Sequence, residues 1–129
     1  MLSGYYAAMM QNRREEWNKK ESKREIMQEA MDYISLHYSE NITLHDVARA
    51  CYCNPNYLSG LFQKKLQMGF VQYLNIIRIN NSKTLLLIKD LSIGDIAERV
   101  GFSSATVFIK AFKRYEGITP YQSRKQLLR

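Results

Sequence analysis

Amide, hydroxyl, cationic and small apolar side chains recur at helical spacing in two stretches of the chain, residues 55–66 and 104–115. Once the apolar positions that must face a core are set aside, each stretch keeps an outward stripe of such groups. An amide can pair with adenine, a lysine with guanine O6 and N7, and an apolar side chain can pack on a thymine methyl group. We therefore predict that two helices read base edges in a DNA major groove through these residues: Asn56, Ser59, Gln63, Ala105, Thr106, Ile109 and Lys110.

The two stripes differ in what they offer a base. In the first, Gly60 has no side chain, so we expect a weaker or more shape-based contribution from that helix. In the second, we expect Ile109 to lie exposed and Lys110 to reach a guanine or a phosphate. Replacing Lys110 with alanine should therefore cost more specificity than replacing Ser59. Helical spacing assigns the remaining side chains to the core: Tyr57, Leu58, Leu61, Phe62, Phe108, Ala111, Phe112 and Tyr115.

A repeated motif predicts the elements that hold these stripes. The segment from Thr43 to Ala48 is echoed 49 positions later by the segment from Ser92 to Ala97. Each copy opens with a hydroxyl residue and has an acid three positions on, which is typical of a capped helix start. A turn and a second amphipathic helix follow each copy, so the sequence predicts two helix-turn-helix units.

Positive charge is concentrated in the part of the chain that contains the repeat. Residues 41–129 hold 13 Lys and Arg against 5 Asp and Glu, whereas residues 1–40 hold 6 against 7. Such an excess of cations favours binding to phosphates. Arg78, between the two units, is expected to be structural instead. We predict phosphate contacts, from side chains or from helix-start amides, at Thr43, Lys64, Lys65, Ser92, Lys113, Arg114 and Arg124.

The remaining residues argue against an enzyme. The sequence has no Gly-rich phosphate loop and no nucleophile–histidine–acid set, so no catalytic residue is assigned. Its two cysteines, Cys51 and Cys53, and its two histidines, His37 and His45, do not make a zinc set, and we expect the cysteines to be reduced. We expect no metal, no cofactor and no membrane span, and a cytoplasmic, nucleoid-associated protein.

Periodicity and capping signals predict an all-α fold of about seven helices. The first follows a capping box at residues 22–25 and extends to about Tyr38. Asn54 and Ser103 are the expected caps of the second helix of each unit. We expect the other helices at about 44–51, 55–66, 70–88, 93–100 and 104–115, and one from Thr119 and Pro120 onward.

Two further expectations concern turns and the long helix. Gly101 and Gly117 suit a left-handed backbone, so we expect each to end a helix. The helix at 70–88 separates the two units, and a single face of it is expected to be buried. That face comprises Phe70, Tyr73, Leu74, Ile77, Asn81, Thr84, Leu85 and Ile88.

These residues resemble the DNA-binding domain of the AraC/XylS family of bacterial transcription regulators, over about residues 24–126. In the second half the resemblance rests on Ser92, Ile93, Ile96, Ala97, Val100, Gly101, Phe102, Phe108, Phe112, Lys113, Gly117, Thr119, Pro120 and Arg124. In the first half it rests on Leu44, Val47, Ala48, Tyr57, Leu58, Ser59, Phe62, Tyr73, Leu74 and Arg78. The chain departs from the family pattern at Tyr52, Gln67, Gly69, Ser82 and Ser123.

The resemblance implies a sequence-specific regulator with its two units in successive major grooves of double-stranded DNA. It implies an activator that contacts RNA polymerase, and a possible homodimer through a further N-terminal domain. From their own composition, we expect residues 1–21 to be a linker or the tail of an upstream sensor or dimerisation domain. The expected division is a first subdomain at 22–68, a linker helix at 69–89 and a second subdomain at 90–129. Two alternatives remain open: a helical protein-interaction module, and a nonspecific architectural DNA binder.

Overall fold

The described part of the chain is helical. The computed structural model describes residues 26–129. Its helices are α1 at residues 26–37, α2 Leu44–Ala50, α3 Pro55–Leu66, α4 Phe70–Leu85, α5 Ile93–Val100, α6 Ala105–Glu116 and α7 Pro120–Leu127. Within this part there is no strand, and the all-α prediction of about seven helices is confirmed. The expected capping box at 22–25 and the expected tail at 1–21 lie outside the described residues. None of the helices in residues 26–129 is both long and apolar enough to cross a membrane.

Polar side chains cap the helices where the sequence predicts, with one exception. Thr43 and Ser92 each accept a hydrogen bond from the backbone N–H three residues on, at 3.2 and 3.0 Å. The cap of α6 is Ser104, whose Oγ accepts from the N–H of Val107 at 3.2 Å. The prediction of Ser103 is therefore wrong by one residue. Two adjacent serines carry the same hydroxyl, so the local sequence does not distinguish between them.

Within residues 26–129, four residues take a left-handed backbone conformation and end or follow helices. Gly101 and Gly117 do so with φ of 102° and 83°, which confirms their predicted role. The equivalent positions of the first unit hold Tyr52 and Gln67, both with φ of 53°. A side chain in this conformation costs about 1–2 kcal/mol, so the turns of the first unit are strained where those of the second are not.

Two apolar cores lie along the chain, and α4 contributes to both. The first core joins α1, α2, α3 and the start of α4, with Ile34, Val47, Leu58, Phe62 and Leu74 among its buried side chains. The second joins the end of α4 to α5 and α6, with Ile79, Leu86, Ile96, Phe108 and Phe112 among its buried side chains. The packing of α4 therefore sets how the two halves are related.

The buried surface of α4 does not follow the predicted single face. The helix ends at Leu85 instead of residue 88, and Thr84 and Ile88 of the predicted face are exposed. Ile79 and Ser82 are buried although they lie outside that face, because cores cover α4 on two sides. The hydroxyl of Ser82 donates to Ile79 O at 2.6 Å, so its burial leaves no polar atom unsatisfied.

Arg78 lies where the two halves meet. Its Nε donates to Tyr38 O at 2.7 Å and its Nη2 to Glu40 O at 2.9 Å, both just beyond the end of α1. Its guanidinium carbon lies 5.7 Å from the ring centre of Phe102, in the turn between α5 and α6. Burial lowers the pKa of Arg78 from its ordinary value. The expected structural role of Arg78 is confirmed.

Gly101 brings the turn of the second unit against the same point. A Cβ added to Gly101 would stand 2.7 Å from Tyr38 O and 2.9 Å from Arg78 Nε. No side chain fits there, so the backbone of this turn packs directly on the end of α1. We call this contact of Tyr38, Arg78 and Gly101 the junction.

Candidate nucleic-acid interface

The exposed face of α3 carries the polar residues that the sequence predicts. Asn56, Ser59, Gly60 and Gln63 are all exposed. Leu58 and Phe62 are fully buried on the opposite side. The assignment of Tyr57 to the core is wrong, since its side chain is 41% exposed and borders the polar face.

The exposed face of α6 is rotated relative to the prediction. Thr106 and Lys110 are exposed as expected, and Ala105 is half-buried. Ile109 is not exposed: it is half-buried and packs against the second core. The exposed apolar residue is instead Val107, which is 45% exposed and which the sequence reasoning missed.

One cause explains the errors at Tyr57 and Val107. Leu58 and Phe62 of α3 lie 50 residues before Phe108 and Phe112 of α6, and all four are fully buried. At this offset Tyr57 is equivalent to Val107, and both are exposed at the same edge of the face. The centre of each exposed face therefore falls at Gly60 in α3 and at Lys110 in α6. A comparison of the two repeats position by position reveals this register.

Cations gather at the C-terminal ends of both helices. Lys64 and Lys65 lie in the last turn of α3, and Lys113 and Arg114 in the last turn of α6. All four are exposed, and neither helix has an acidic residue in its first turn. The charge on these faces therefore suits a polyanion.

Arg124 has a different role from the predicted phosphate contact. Its Nε donates to Leu86 O at 2.9 Å and its Nη2 to Ile88 O at 3.2 Å, just beyond the end of α4. Arg78 makes the same pair of bonds beyond the end of α1. Arg78 thus holds the end of α1, which precedes the first unit, and Arg124 holds the end of α4, which precedes the second. The sequence predicts a structural role for Arg78 but a phosphate contact for Arg124, because the positions of those carbonyls do not follow from sequence.

The two helix starts predicted to bind phosphate both have an acid in the first turn, Asp46 in α2 and Asp95 in α5, and they differ in how that acid is engaged. The N–H of Thr43 donates to the Asp46 carboxylate at 2.8 Å, and the Thr43 hydroxyl lies 3.0 Å from the same oxygen. These bonds lower the pKa of Asp46, so a carboxylate occupies the start of α2 at neutral pH. A second anion is disfavoured there. Ser92 caps α5 through its hydroxyl, which accepts from the N–H of Asp95, but the Asp95 carboxylate does not pair with the Ser92 N–H. Ser92 is therefore the better candidate of the two.

A groove runs along the exposed face of α3. It has a volume of about 280 Å³ and is lined by Asn56, Tyr57, Gly60, Leu61 and Lys64. It exists because Gly60 has no side chain: a Cβ added there would meet nothing within 4 Å. The recognition face of the first unit therefore has a gap at the position where the second unit presents Lys110.

The thiols and acids of residues 26–129 do not form a chemical centre. Burial, followed by the nearby Cys53 and Glu29, raises the pKa of Cys51 to about 11, so its thiol is protonated at neutral pH. Burial likewise raises the pKa of Cys53. In the described residues no three His, Cys, Asp or Glu side chains come together in a way that would hold a metal ion.

Comparison with known proteins agrees with this geometry. Residues 47–126 match the family model described as a helix-turn-helix domain. The chain is 40% identical to the uncharacterized HTH-type transcriptional regulator YijO of Escherichia coli K12 over 95 residues. These residues make up 74% of this chain and 34% of that protein. The chain therefore spans about a third of the length of this relative.

Solved structures extend the likeness to the whole arrangement of helices. The C-terminal domain of AraT, a response regulator from Geobacillus stearothermophilus, is 37% identical with a TM-score of 0.74, covering 78% of this chain and 84% of that one. A transcriptional regulator with an AraC-type DNA-binding domain from Chromobacterium violaceum is 26% identical with a TM-score of 0.75, covering 80% and 92%. Both proteins are similar in fold and in sequence to the described residues.

Proposed function

Because the chain belongs to the AraC-type helix-turn-helix family of DNA-binding transcription regulators, which is not a family of enzymes, we propose that it reads one asymmetric stretch of double-stranded DNA. Helices α3 and α6 enter successive major grooves on one side of the duplex, ~34 Å apart. Their exposed faces differ in every central residue, so the two boxes of the site differ in sequence.

The observation that carries this proposal is the junction, which holds the two units together while α3 and α6 keep exposed polar faces. Arg78 and Gly101 pack the second unit against the end of α1, so that α3 and α6 are held in one relation. A fixed relation between two reading helices selects DNA by the spacing of its boxes as well as by their sequence.

Each unit has a proposed set of base-reading and phosphate-binding residues. In the first unit Asn56, Ser59 and Gln63 meet bases, and in the second Thr106 and Lys110 do so, with Ala105 at the edge of the face. Val107 takes the thymine contact that the sequence predicts for Ile109, because Ile109 packs inward. Phosphates are bound by Lys64, Lys65, Ser92, Lys113 and Arg114.

Selection from a random pool of duplex DNA tests the proposal. The purified chain should enrich an asymmetric motif of two boxes about one helical turn apart. Affinity for this motif should fall with salt, with a slope of about 0.9 per phosphate contact on logarithmic axes. The Lys110→Ala variant should lose more discrimination between the motif and random DNA than Ser59→Ala, since only Lys110 has the reach for a bidentate contact with guanine.

The other outcomes decide between this proposal and its two rivals. Retention of DNA without an enriched motif would identify a nonspecific architectural binder. No retention even at low salt would indicate a protein-interaction module. Equal losses for Lys110→Ala and Ser59→Ala would overturn the unequal roles of the two units.

The role of the protein beyond DNA binding is also a proposal. We infer an activator that contacts RNA polymerase from its DNA site, at the bacterial nucleoid, and a homodimer formed through a further N-terminal domain. We propose the division into a first subdomain at 22–68, a linker helix at 69–89 and a second subdomain at 90–129. The segment 1–21 would join these to the sensor part. Transcription in vitro from a promoter that carries the selected motif tests activation directly.

A further inference from the structure

We propose that the groove over Gly60 is a subsite for the major-groove edge of one thymine. Its methyl group packs against Leu61 and Tyr57, and its O4 accepts a hydrogen bond from Lys64 or Asn56. This inference rests on the proposed function, since it names what the face of α3 recognises. Gly60 then determines specificity because its missing side chain leaves space for a base, whereas Lys110 does so by contacting a base with its own side chain.

The shape of the groove is the first support. Gly60 lies at the centre of the exposed face, directly opposite the buried side chains of Leu58 and Phe62. Apart from the backbone of α3 and the residues next to Gly60 in the chain, a Cβ at Gly60 would meet no protein atom within 4 Å. The backbone of α3 can therefore approach base edges more closely at this point than a helix with a side chain there.

The chemistry of the lining is the second support. Leu61 and Tyr57, which are 7% and 41% exposed, supply the apolar part of the lining. Lys64 and the Asn56 amide supply hydrogen-bond donors to the same groove. Thymine alone among the four bases presents a methyl group beside an acceptor in the major groove. The apolar side chains and the hydrogen-bond donors of the lining thus match the methyl group and the acceptor of a single thymine edge.

Charge is the third support. The sequence of α3 from Pro55 to Leu66 contains no acidic residue, and it ends in Lys64 and Lys65. A face of this charge attracts the DNA backbone and carries no carboxylate that would select the amino group of cytosine. The occupant of the groove is therefore expected to be a base with an acceptor edge.

Deoxyuridine tests the subsite because it differs from thymidine only by the missing methyl group. Each thymidine in the selected motif is replaced in turn by deoxyuridine, and affinity is measured by titration. The unmodified chain should lose about fourfold at one thymidine, which is the factor expected for one methyl group buried away from water. The Gly60→Ala variant should bind the motif more weakly and no longer distinguish thymidine from deoxyuridine at that position.

A second glycine provides the matched control. Gly94 in α5 is exposed, and a Cβ there would lie 3.9 Å from Ser92 Oγ, an ordinary contact. Gly94→Ala changes the helix in the same way, and it should keep the thymidine-to-deoxyuridine ratio of the unmodified chain. Thermal unfolding of Gly60→Ala should show a midpoint no lower than that of the unmodified chain, because alanine is the better helix former.

The outcomes separate this inference from the proposed function. An enriched motif in which no deoxyuridine substitution matters, or in which Gly60→Ala keeps the full methyl effect, overturns the thymine subsite and leaves DNA reading in place. A motif without any thymidine does the same. Failure to enrich a motif at all contradicts the proposed function itself.

Discussion

Replacement of Arg78 by methionine tests whether the junction holds the two units together. The change removes both hydrogen bonds to Tyr38 O and Glu40 O, at 2.7 and 2.9 Å, and keeps an unbranched apolar stem. A hydrogen bond to a charged group contributes about 1.5–3 kcal/mol. Part of that loss is offset because methionine removes a buried charge, and Arg78 is only 9% exposed. We expect a net loss of about 2–3 kcal/mol of unfolding free energy, or about 10 °C in the thermal midpoint.

The DNA readout distinguishes a coupling role from simple stabilisation. The unmodified chain should bind poorly to DNA in which the two boxes are moved apart by one base pair. In Arg78→Met the ratio of the binding affinities for the two spacings should shrink by about fivefold or more, since couplings of this kind are worth about 1–3 kcal/mol. Affinity for a duplex with a single box should change little.

Arg124→Met is the matched control for this experiment. Arg124 makes the same pair of hydrogen bonds to Leu86 O and Ile88 O, but these lie within the second half of the chain. Its loss should lower stability without relaxing the preference for one spacing. The reasoning is refuted if Arg78→Met keeps the spacing preference of the unmodified chain, or if Arg124→Met relaxes it equally.

Three further predictions concern stability and reactivity. Gly101→Ala should lower the free energy of unfolding, measured by chemical denaturation, by about 3–4 kcal/mol, because left-handed strain adds to a Cβ contact of 2.7 Å with Tyr38 O. Gly117→Ala should lower it by only about 1–2 kcal/mol, because the space beside Gly117 is open. Equal costs would contradict the junction. Cys51, with its pKa raised to about 11, should resist alkylation at pH 8 until urea unfolds the chain, as mass spectrometry would show; rapid labelling of the folded chain would contradict this. Asp46 has a lowered pKa, so its stabilisation is present above the ordinary carboxyl pKa and is lost as pH falls through the folded value. The stability gap between the unmodified chain and Asp46→Asn should therefore close below about pH 4, and a gap that persists at pH 2 would refute the capping account.

The parts of the fold that depend on local chemistry could be predicted from the sequence. Thr43, Ser92 and Asn54 cap helices because their side chains meet nearby backbone N–H groups. Gly101 and Gly117 turn the chain because glycine takes a left-handed backbone without strain. These signals act over four residues or fewer, so neighbours far along the chain do not alter them.

The parts of the fold that depend on tertiary packing could not be predicted from the sequence. Ile79 and Ser82 are buried because a second core covers α4, and a single periodic stripe does not describe a helix covered on two sides. Arg124 has the residue type of a phosphate contact, but its partners are carbonyls 36 and 38 residues earlier. Ile109 lies at the edge of its helix face, where a small rotation decides exposure.

The candidate site was predicted in residue type more reliably than in register. Thr106 and Lys110 of α6 are on the face expected of them, and so are Asn56, Ser59, Gly60 and Gln63 of α3. Tyr57 and Val107 were assigned incorrectly or overlooked because both stand at the boundary between core and solvent. The offset of 50 residues between the units places them together, and an internal repeat of this kind can correct a helical wheel.

The sharing of α4 between two cores determines where this molecule can be cut and rejoined. The loop at 86–92 resembles a natural boundary, but a cut there would separate Ile79 from its partners Ile96 and Phe108, and would divide the junction by separating Arg78 from Gly101. Leu74 is the last buried residue of the first core along the chain. The first core can therefore form during synthesis before α5 and α6 of the second core have been made. A chimaera that exchanges one reading unit should therefore be spliced inside α4, between Leu74 and Arg78. Each parent then contributes a whole core, and the incoming second unit brings its own arginine to the end of α1.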